Sequence, residues 1–281
     1  MRNVLITGGA GFFGRGFARK VLAMGAERVC IYSRGEYSQH LMRQEFGDDS
    51  RLRFFIGCVK DADRLEEAMH GVDLVVHAAA LKRIEVGFYN PDQMFATNID
   101  GTRSVIQAAK RAGVKKVVGL SSDKAFEPKS AYGLSKAGSE CLILSANNTR
   151  GANGPRFAAV RYGNVWCSTG SIIPIWRSMI AAGATSLPVT NPDCTRFFMR
   201  LDQAVDLVLD TAENMQGGEL AIPDLPAYRV GDLAEAMGMP VRVTGLSDFE
   251  KLHESMGPGN SSDKARRMSI GELKEALCQH L

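Results

Sequence analysis

Thr7-Gly8-Gly9-Ala10-Gly11-Phe12-Phe13-Gly14 decides the fold. The stretch follows a short apolar run, Asn3–Thr7, and leads into a helical segment, Phe12–Met24. Gly8, Gly11 and Gly14 therefore stand in GxxGxxG spacing between a strand and a helix. Glycine permits the tight turn and lets the backbone approach a phosphate closely. The helix start at Phe12 and Phe13 offers unpaired N–H groups and a positive dipole end to a pyrophosphate. Taken alone, such a motif also fits a glycine-rich turn in an unrelated α/β protein. Its place on the first strand of an alternating chain is what favours dinucleotide binding.

That alternation continues through Asn164. Arg28–Tyr32, Leu52–Ile56, Leu74–His77, Lys116–Leu120 and Arg156–Arg161 read as strands, and Asp61–His70, Pro91–Ala112 and Ala131–Ala146 as helices. Strands alternating with helices imply right-handed crossovers and a parallel sheet. The predicted class is α/β, a Rossmann-like doubly wound parallel sheet with a small C-terminal substrate-binding lobe. Beyond Asn164 the rhythm loosens. Gly170–Ala182 and Asp202–Met215 look helical, Ser186–Thr190 extended, and Gly257–Asp263 a polar loop. Glu219–Ile222 and Val241–Val243 read as strands flanking a short helix at Val230–Met237. Ser269-Ile270-Gly271-Glu272 fits a capping box that opens a last helix, Ile270–His280. The cofactor domain is thus expected at 1–164, with 195–215 returning to it, and the lobe at 165–194 and 216–281.

Composition narrows the function. With 281 residues the chain has room for one large α/β domain and a small lobe. A net charge of +3, with both signs spread along the chain, argues against nucleic acid or membrane as a partner. No apolar run approaches the ~20 residues that span a bilayer, and Met1-Arg2-Asn3 leads straight into a strand, unlike a signal peptide. The six cysteines form no CxxC pair and the five histidines are dispersed. That pattern predicts reduced core thiols in a cytoplasmic protein, with neither a metal site nor a disulfide framework.

The end of the second strand bears on the cofactor. A carboxylate there suits the ribose hydroxyls of NAD, and an arginine accommodates the 2′-phosphate of NADP. The chain has Ser33-Arg34 at this point, which predicts NADP; Glu36, close by, is the residue with the opposite chemistry. Tyr132 and Lys136 lie four apart on a predicted helix and share a face. A phenol is a poor base near neutral pH, since its reference pKa is ~10. An adjacent ammonium favours the phenolate, so Tyr132 can exchange a proton with a sugar or alcohol hydroxyl while hydride moves to a nicotinamide. Ser121 and Ser122 end the fifth strand at the carboxyl edge, where ligands bind, and Ser122 can donate to a substrate oxygen. Asp123-Lys124 is the unusual part. A plain alcohol dehydrogenase does not need an acid and an amine here, whereas a reaction that removes water does. An Asp–Lys pair in a turn is the bland alternative.

TGGAGFFG, the His77–Ala80 HAAA and the Tyr132–Lys136 YGLSK resemble the extended short-chain dehydrogenase/reductase superfamily. More narrowly, Ser33–Gln39, His77–Pro91, Thr97–Thr102, Ser121–Pro128, Val160–Val165 and Cys194–Met199 resemble the UDP-N-acetylglucosamine 4,6-dehydratases of polysaccharide biosynthesis, above all the soluble C5-inverting type. The resemblance implies a route. Tyr132 deprotonates the C4 hydroxyl while hydride passes to NADP, Lys124 removes the C5 proton, and Asp123 protonates the departing C6 hydroxyl. The hydride returns to C6, and reprotonation on the opposite face inverts C5. It further implies that Ala78, Ala79 and Ala80 face the cofactor, that Cys58 occupies the position contacting adenine, and that Lys136 binds ribose. Lys82, Asn164, Arg196, Lys251 and Glu254 become candidate substrate ligands, Arg196 with a fork suited to a phosphate. Relatives form dimers or larger assemblies, so a homo-oligomer is the expectation.

Two departures stand out. Cys58 replaces the family's aspartate, and Leu246-Ser247-Asp248-Phe249-Glu250-Lys251 replaces an Arg-Pro-Gly-Glu-Lys segment, which leaves Arg266 or Arg267 as candidates for the missing nucleotide-facing arginine. Two other functions stay open. One is an epimerase or reductase of sugar nucleotides, which needs no carbon–oxygen elimination and so gives Asp123-Lys124 no task. The other is a non-catalytic NADP-binding regulator, which has no use for Tyr132 and Lys136.

Overall fold

The computed structural model describes residues 2–279. In chain order the first part contains β1 (Asn3–Thr7), α1 (Phe12–Ala23), β2 (Arg28–Ser33), α2 (Glu36–Glu45), β3 (Leu52–Ile56), α3 (Ala62–Met69) and β4 (Leu74–His77). Then come α4 (Ile84–Tyr89), α5 (Pro91–Phe95), a π turn (Ala96–Asp100), α6 (Gly101–Arg111), β5 (Lys116–Leu120), α7 (Ala131–Ser145) and β6 (Arg156–Val160). The remainder holds α8 (Ile172–Ala181), β7 (Leu187–Val189), β8 (Thr195–Phe197), α9 (Leu201–Asn214), β9 (Leu220–Ala221), β10 (Ala227–Arg229), α10 (Val230–Ala236), β11 (Val241–Val243), β12 (Ser255–Gly257), β13 (Asn260–Ser261) and α11 (Ile270–Cys278).

Seven strands form one sheet in the order β3-β2-β1-β4-β5-β6-β9, and every neighbouring pair runs parallel. This is the doubly wound arrangement, in which the chain reverses direction across the sheet between β1 and β4 and opens a crevice at the strands' carboxyl ends. The central strands are largely apolar because helices cover both faces: Val4, Leu5 and Ile6 of β1 and Leu74, Val75 and Val76 of β4 are fully buried. One core lies between the sheet and α1 and α9, where Phe17, Val205 and Val208 pack. The opposite core holds Leu65, Met69, Val105 and Phe157. A third, smaller core belongs to the lobe and is built on Trp166, Trp176, Leu187, Tyr228 and Leu233.

Several expectations are refined. β9 lies within the span 216–281 assigned to the lobe, yet it pairs with β6 and extends the main sheet. Along the chain β9 and β11 stand on either side of α10 as expected, with β10 added between β9 and the helix, and β11 pairs with β7. The expected loop Gly257–Asp263 contributes to a hairpin, β12 against β13. Helix α2 escapes sequence reading because only Gln39 and Met42 of its ten residues are buried, too few to print an apolar stripe. The expected helix Pro91–Ala112 is one course of α5, π turn and α6, with Pro91 at its first turn. Ser269 and Glu272 form the expected reciprocal cap. His280, expected to end that helix, lies outside the described residues.

The lobe is tied to the sheet by a buried ion pair. Arg161, just past β6, sets Nε 3.0 Å from Glu140 Oε2 on α7 and sends a second nitrogen to the other carboxylate oxygen. Its remaining amino group donates to the Met256 carbonyl of β12 at 2.7 Å. Removing one partner strands a buried charge, which typically costs about 3–5 kcal/mol. Glu140→Ala should therefore lower stability by about 3 kcal/mol or more in urea unfolding, and Glu140→Leu combined with Arg161→Met should recover most of the loss.

Candidate active site

The crevice at the carboxyl edge is a cavity of about 870 Å³. One end is the glycine turn. Gly8 has φ +67°, and a Cβ there would lie 2.9 Å from Ala79 Cα. A Cβ on Gly14 would meet the Gly9 carbonyl oxygen at 2.4 Å. Only glycine fits either place, which keeps β1, the turn and β4 in close contact. No acidic residue occupies the first turn of α1, and no side chain caps it. Its free N–H groups and dipole are thus left for an anion, and the site fits a dinucleotide pyrophosphate. Gly8, Gly11, Phe12, Phe13, Gly14, Ala78, Ala79 and Ala80 all line this part.

Next to it the cavity is lined by Ser33, Arg34, Arg15 and Ser38. Arg15 is anchored to the Ala10 and Ser38 carbonyls and to Glu45. Arg34 is exposed and has no hydrogen bond or ion pair with a described residue. Gln39 donates to the Ser33 hydroxyl. Cys58 does not line the cavity; its neighbours Gly57 and Val59 do. The chain around it is held by the Tyr32 hydroxyl, which donates to the Cys58 carbonyl.

A buried polar relay joins the cofactor end to the chemical end. The Thr7 hydroxyl meets His77 Nδ1 at 2.7 Å, and His77 Nε2 meets the Thr102 hydroxyl at 3.0 Å. Thr102 also bonds the Asn98 carbonyl and the Ser139 hydroxyl. The Asn98 amide grips both backbone groups of Leu81 and donates to Ser135, whose hydroxyl donates to the Tyr132 carbonyl. The π turn swings Asn98 to this position. Burial first, and Lys136 second, push His77 down to about 3, so the imidazole is neutral and structural.

Ser122, Lys124, Tyr132 and Lys136 line the other end of the cavity, with Ser121 beside them. The Tyr132 side chain stands beside Ser122 and Lys124, both of which favour its phenolate. The Ser122 hydroxyl donates to Asp123 Oδ1 at 2.9 Å, and Lys124 Nζ donates to the same oxygen at 3.1 Å. Lys124 Nζ also lies 3.0 Å from Glu254 Oε1. Asp123 is fully buried beneath this layer and does not reach the cavity wall. Burial pushes its carboxyl above the usual range, with Glu254 adding to the effect and Lys124 opposing it. Burial disfavours the Lys124 charge, yet Asp123 and Glu254 outweigh it and hold the ammonium well above its ordinary range. Burial also raises Tyr132, against the pull of Lys124 and Ser122, so Lys124 is a principal cation favouring the phenolate. Lys136 is pushed down to about 8 by burial, and its Nζ donates to the Leu120 carbonyl.

Of the candidate substrate ligands, Lys82 and Asn164 line the cavity; Arg196, Lys251 and Glu254 do not. Arg196 is buried, pairs with Glu250 at 2.6 Å and donates to the Thr195 and Leu252 carbonyls. Lys251 donates to the Phe126 carbonyl, and Glu254 is spent on Lys124. The three are drawn inward because their charges meet one another there. Arg266 pairs with Glu272, and neither it nor Arg267 lines the cavity. Sequence reasoning overlooked Arg15 and Arg83, which do line it; Arg15 directly follows the glycine motif and was legible from that place. Ser121 was noted only as ending β5; its buried hydroxyl has no partner.

A glycine turn at the switch point, and a tyrosine and lysine one turn apart beside it, define a dinucleotide-binding protein of the short-chain dehydrogenase/reductase type. Within that class the chain belongs to the polysaccharide biosynthesis protein family, whose model matches residues 4–273. It is 42% identical over 258 residues to a UDP-N-acetylglucosamine 4,6-dehydratase (inverting) of Campylobacter jejuni, covering 91% of this chain and 77% of that one. It is 36% identical over 281 residues to a UDP-glucose 4-epimerase of Rickettsia canadensis, covering 96% and 81%. Among solved structures, Pen from Bacillus thuringiensis matches with a TM-score of 0.93 at 34% identity, over 99% of this chain and 98% of that one. No helix among the described residues is long and apolar enough to cross a membrane, and no cluster of His, Cys, Asp or Glu there could hold a metal ion.

The contact at Gly14 gives a direct test of the cradle. Gly14→Ala should abolish dinucleotide binding, read as loss of NADPH fluorescence enhancement at concentrations that saturate the parent protein, because the added methyl forces the turn away from the start of α1.

Proposed function

We propose that this protein is a nucleotide-sugar 4,6-dehydratase. It removes water from a nucleotide-activated hexose, UDP-N-acetylglucosamine being the favoured substrate, and yields a 4-keto-6-deoxy sugar with inversion at C5. The observation that carries the reading is the Ser122–Asp123–Lys124 cluster beside Tyr132 at the cavity's end, in which a hydroxyl and an amine both donate to one oxygen of a buried acid. The 42% identity to the dehydratase supports it.

Gly8, Gly11, Gly14 and Ala78–Ala80 would hold a nicotinamide dinucleotide, which when bound would supply the acceptor and donor of the hydride exchanged between C4 and C6. In its phenolate form, which Lys124 and Ser122 favour against burial, Tyr132 receives the C4 hydroxyl proton. The resulting ketone acidifies the C5 hydrogen. Lys124, which lines the cavity, takes that proton, and the proton that leaves with the C6 hydroxyl comes from the buried Asp123 by way of the Ser122 hydroxyl, which lines the cavity and is bonded to Asp123 Oδ1. An ammonium cannot act as a base, so Lys124 has to shed a proton first. The carboxylates that meet its Nζ are the acceptors within reach.

NADP is the proposed cofactor. Arg34 is an exposed guanidinium without a partner among the described residues, beside Ser33 and the anchored Arg15, and this suits a 2′-phosphate. Lys82 and Asn164 are the proposed substrate contacts that face the cavity. Epimerisation at C4 is the second reading, favoured by the 36% identity to an epimerase. It leaves the acid and amine without a task. Incubation with UDP- and dTDP-hexoses separates the two: dehydration lowers the product mass by one water, whereas epimerisation leaves it unchanged.

Lys124→Ala should abolish water loss, followed by mass spectrometry, while NADPH binding persists; an undiminished rate of elimination would remove the assigned base. Arg34→Glu should weaken NADP binding roughly tenfold or more, as loss of a charge-assisted contact implies, and narrow its advantage over NAD in parallel titrations.

A further inference from the structure

We infer that Glu254 is a positioning residue for water removal: delivered from the C-terminal lobe, its carboxylate serves as the counter-ion of Lys124 and so leaves Asp123 free to hold the proton that the departing hydroxyl takes. The inference rests on the dehydratase reading above. It replaces the expectation that Glu254 binds substrate, because Glu254 is 2% exposed and does not line the cavity.

Lys124 Nζ has two carboxylate neighbours, Asp123 at 3.1 Å and Glu254 at 3.0 Å. One ammonium neutralises one carboxylate, and a second anion at the same buried place is resisted unless a proton joins it. The surroundings decide which carboxylate takes that proton. Glu254 is faced by Lys124, by Arg196 from β8, and by Lys251, whose Nζ is 3.8 Å from Oε2. Asp123 is hydrogen-bonded only to Lys124 and the Ser122 hydroxyl, and Arg196 and Lys251 act on it less than on Glu254; its Oδ2, like Glu254 Oε2, has no hydrogen-bond partner. The remaining charged groups nearby do not alter the order: Glu250 is paired with Arg196, and Glu127 acts on Lys251. Burial and Glu254 together push Asp123 up, while the surrounding cations hold Glu254 below its ordinary range against burial.

The same arrangement solves the proton balance. With Asp123 protonated, Glu254 is the acceptor to which the Lys124 ammonium can pass a proton. Lys124 then takes the C5 proton, the C5–H electron pair forms the C5–C6 double bond, the C6–O bond breaks, and the oxygen leaves as water with a proton from the Ser122 hydroxyl, which Asp123 replaces with its own. Glu254 ends the step protonated, Lys124 an ammonium and Asp123 a carboxylate. The geometry is rigid enough for this. Glu254 N–H donates to the Ser262 hydroxyl at 2.9 Å, and Arg161 holds the adjacent strand through the Met256 carbonyl.

The test compares Glu254→Gln and Glu254→Asp with the parent in the full chain. Glu254→Gln keeps the shape and removes the charge. It should lower kcat for water loss roughly tenfold or more and leave KM for the sugar nucleotide within about twofold. It should also shift the basic limb of the kcat–pH profile to lower pH. The sign follows from Asp123: its acid form is active below its pKa and lost above it, and removing a neighbouring anion lowers that pKa. Glu254→Asp, which retains the charge, should move the limb back towards its original place. A rise in KM with an unmoved limb would make Glu254 a substrate ligand and overturn the inference. A second readout needs no turnover: the Lys124 side-chain NMR titration should move to lower pH in Glu254→Gln, and an unmoved titration overturns the proposed contact. If the parent removes water from no hexose tested, the dehydratase reading fails, and the titration alone then judges the pairing.

Discussion

A lysine ammonium held inside a protein has to be met by carboxylates, and Lys124 is met from two directions. Asp123 is its neighbour in the chain, on the loop leaving β5. Glu254 arrives 130 residues later on the segment entering β12. Burying one charge without the others would be costly, so the lobe's position on the sheet edge is coupled to the state of this cluster. Arg161 reinforces the same junction, since one guanidinium binds Glu140 on the helix of Tyr132 and the β12 backbone next to Glu254. The reactive cluster and the docking of the lobe are thus parts of one electrostatic arrangement.

The second organising feature is the relay from Thr7 through His77, Thr102 and Asn98 to the backbone of Tyr132. It connects the strand that carries the glycine turn to the helix that carries the phenol. Each member is buried and hydrogen-bonded, so a shift at one end leaves an unsatisfied group elsewhere. The cofactor cradle and the proton-transfer groups therefore keep a fixed separation. The scaffold is shared with relatives named as dehydratases and as epimerases, which is why the reading of function depends on Asp123 and Lys124 more than on the fold.

Many elements were legible because their signals are local. β1, β3, β4, β5 and β11 fall at the expected residues, and most long helices within one or two of them. Elements with few buried residues, such as α2, left no apolar period to read. The site divides in the same way. Gly8, Gly14, Ser122, Tyr132 and Lys136 lie beside strand ends, where topology places ligands, and all five line the cavity. Arg196, Lys251 and Glu254 were singled out by residue type and resemblance, and their destination depended on contacts that no short segment contains.

The amino-acid sequence by itself determined the parallel sheet, the glycine turn at its switch point and the order of groups from Ser122 to Lys136, since strand periodicity, turn chemistry and helical spacing are properties of neighbouring residues. Only the tertiary structure decided that Asp123 sits beneath the cavity wall, that Lys124 is shared between two carboxylates, and that Arg196 and Glu254 face inward. Those outcomes come from balancing charges brought together from distant parts of the chain in a space that excludes water, and such a balance exists only once the chain has closed.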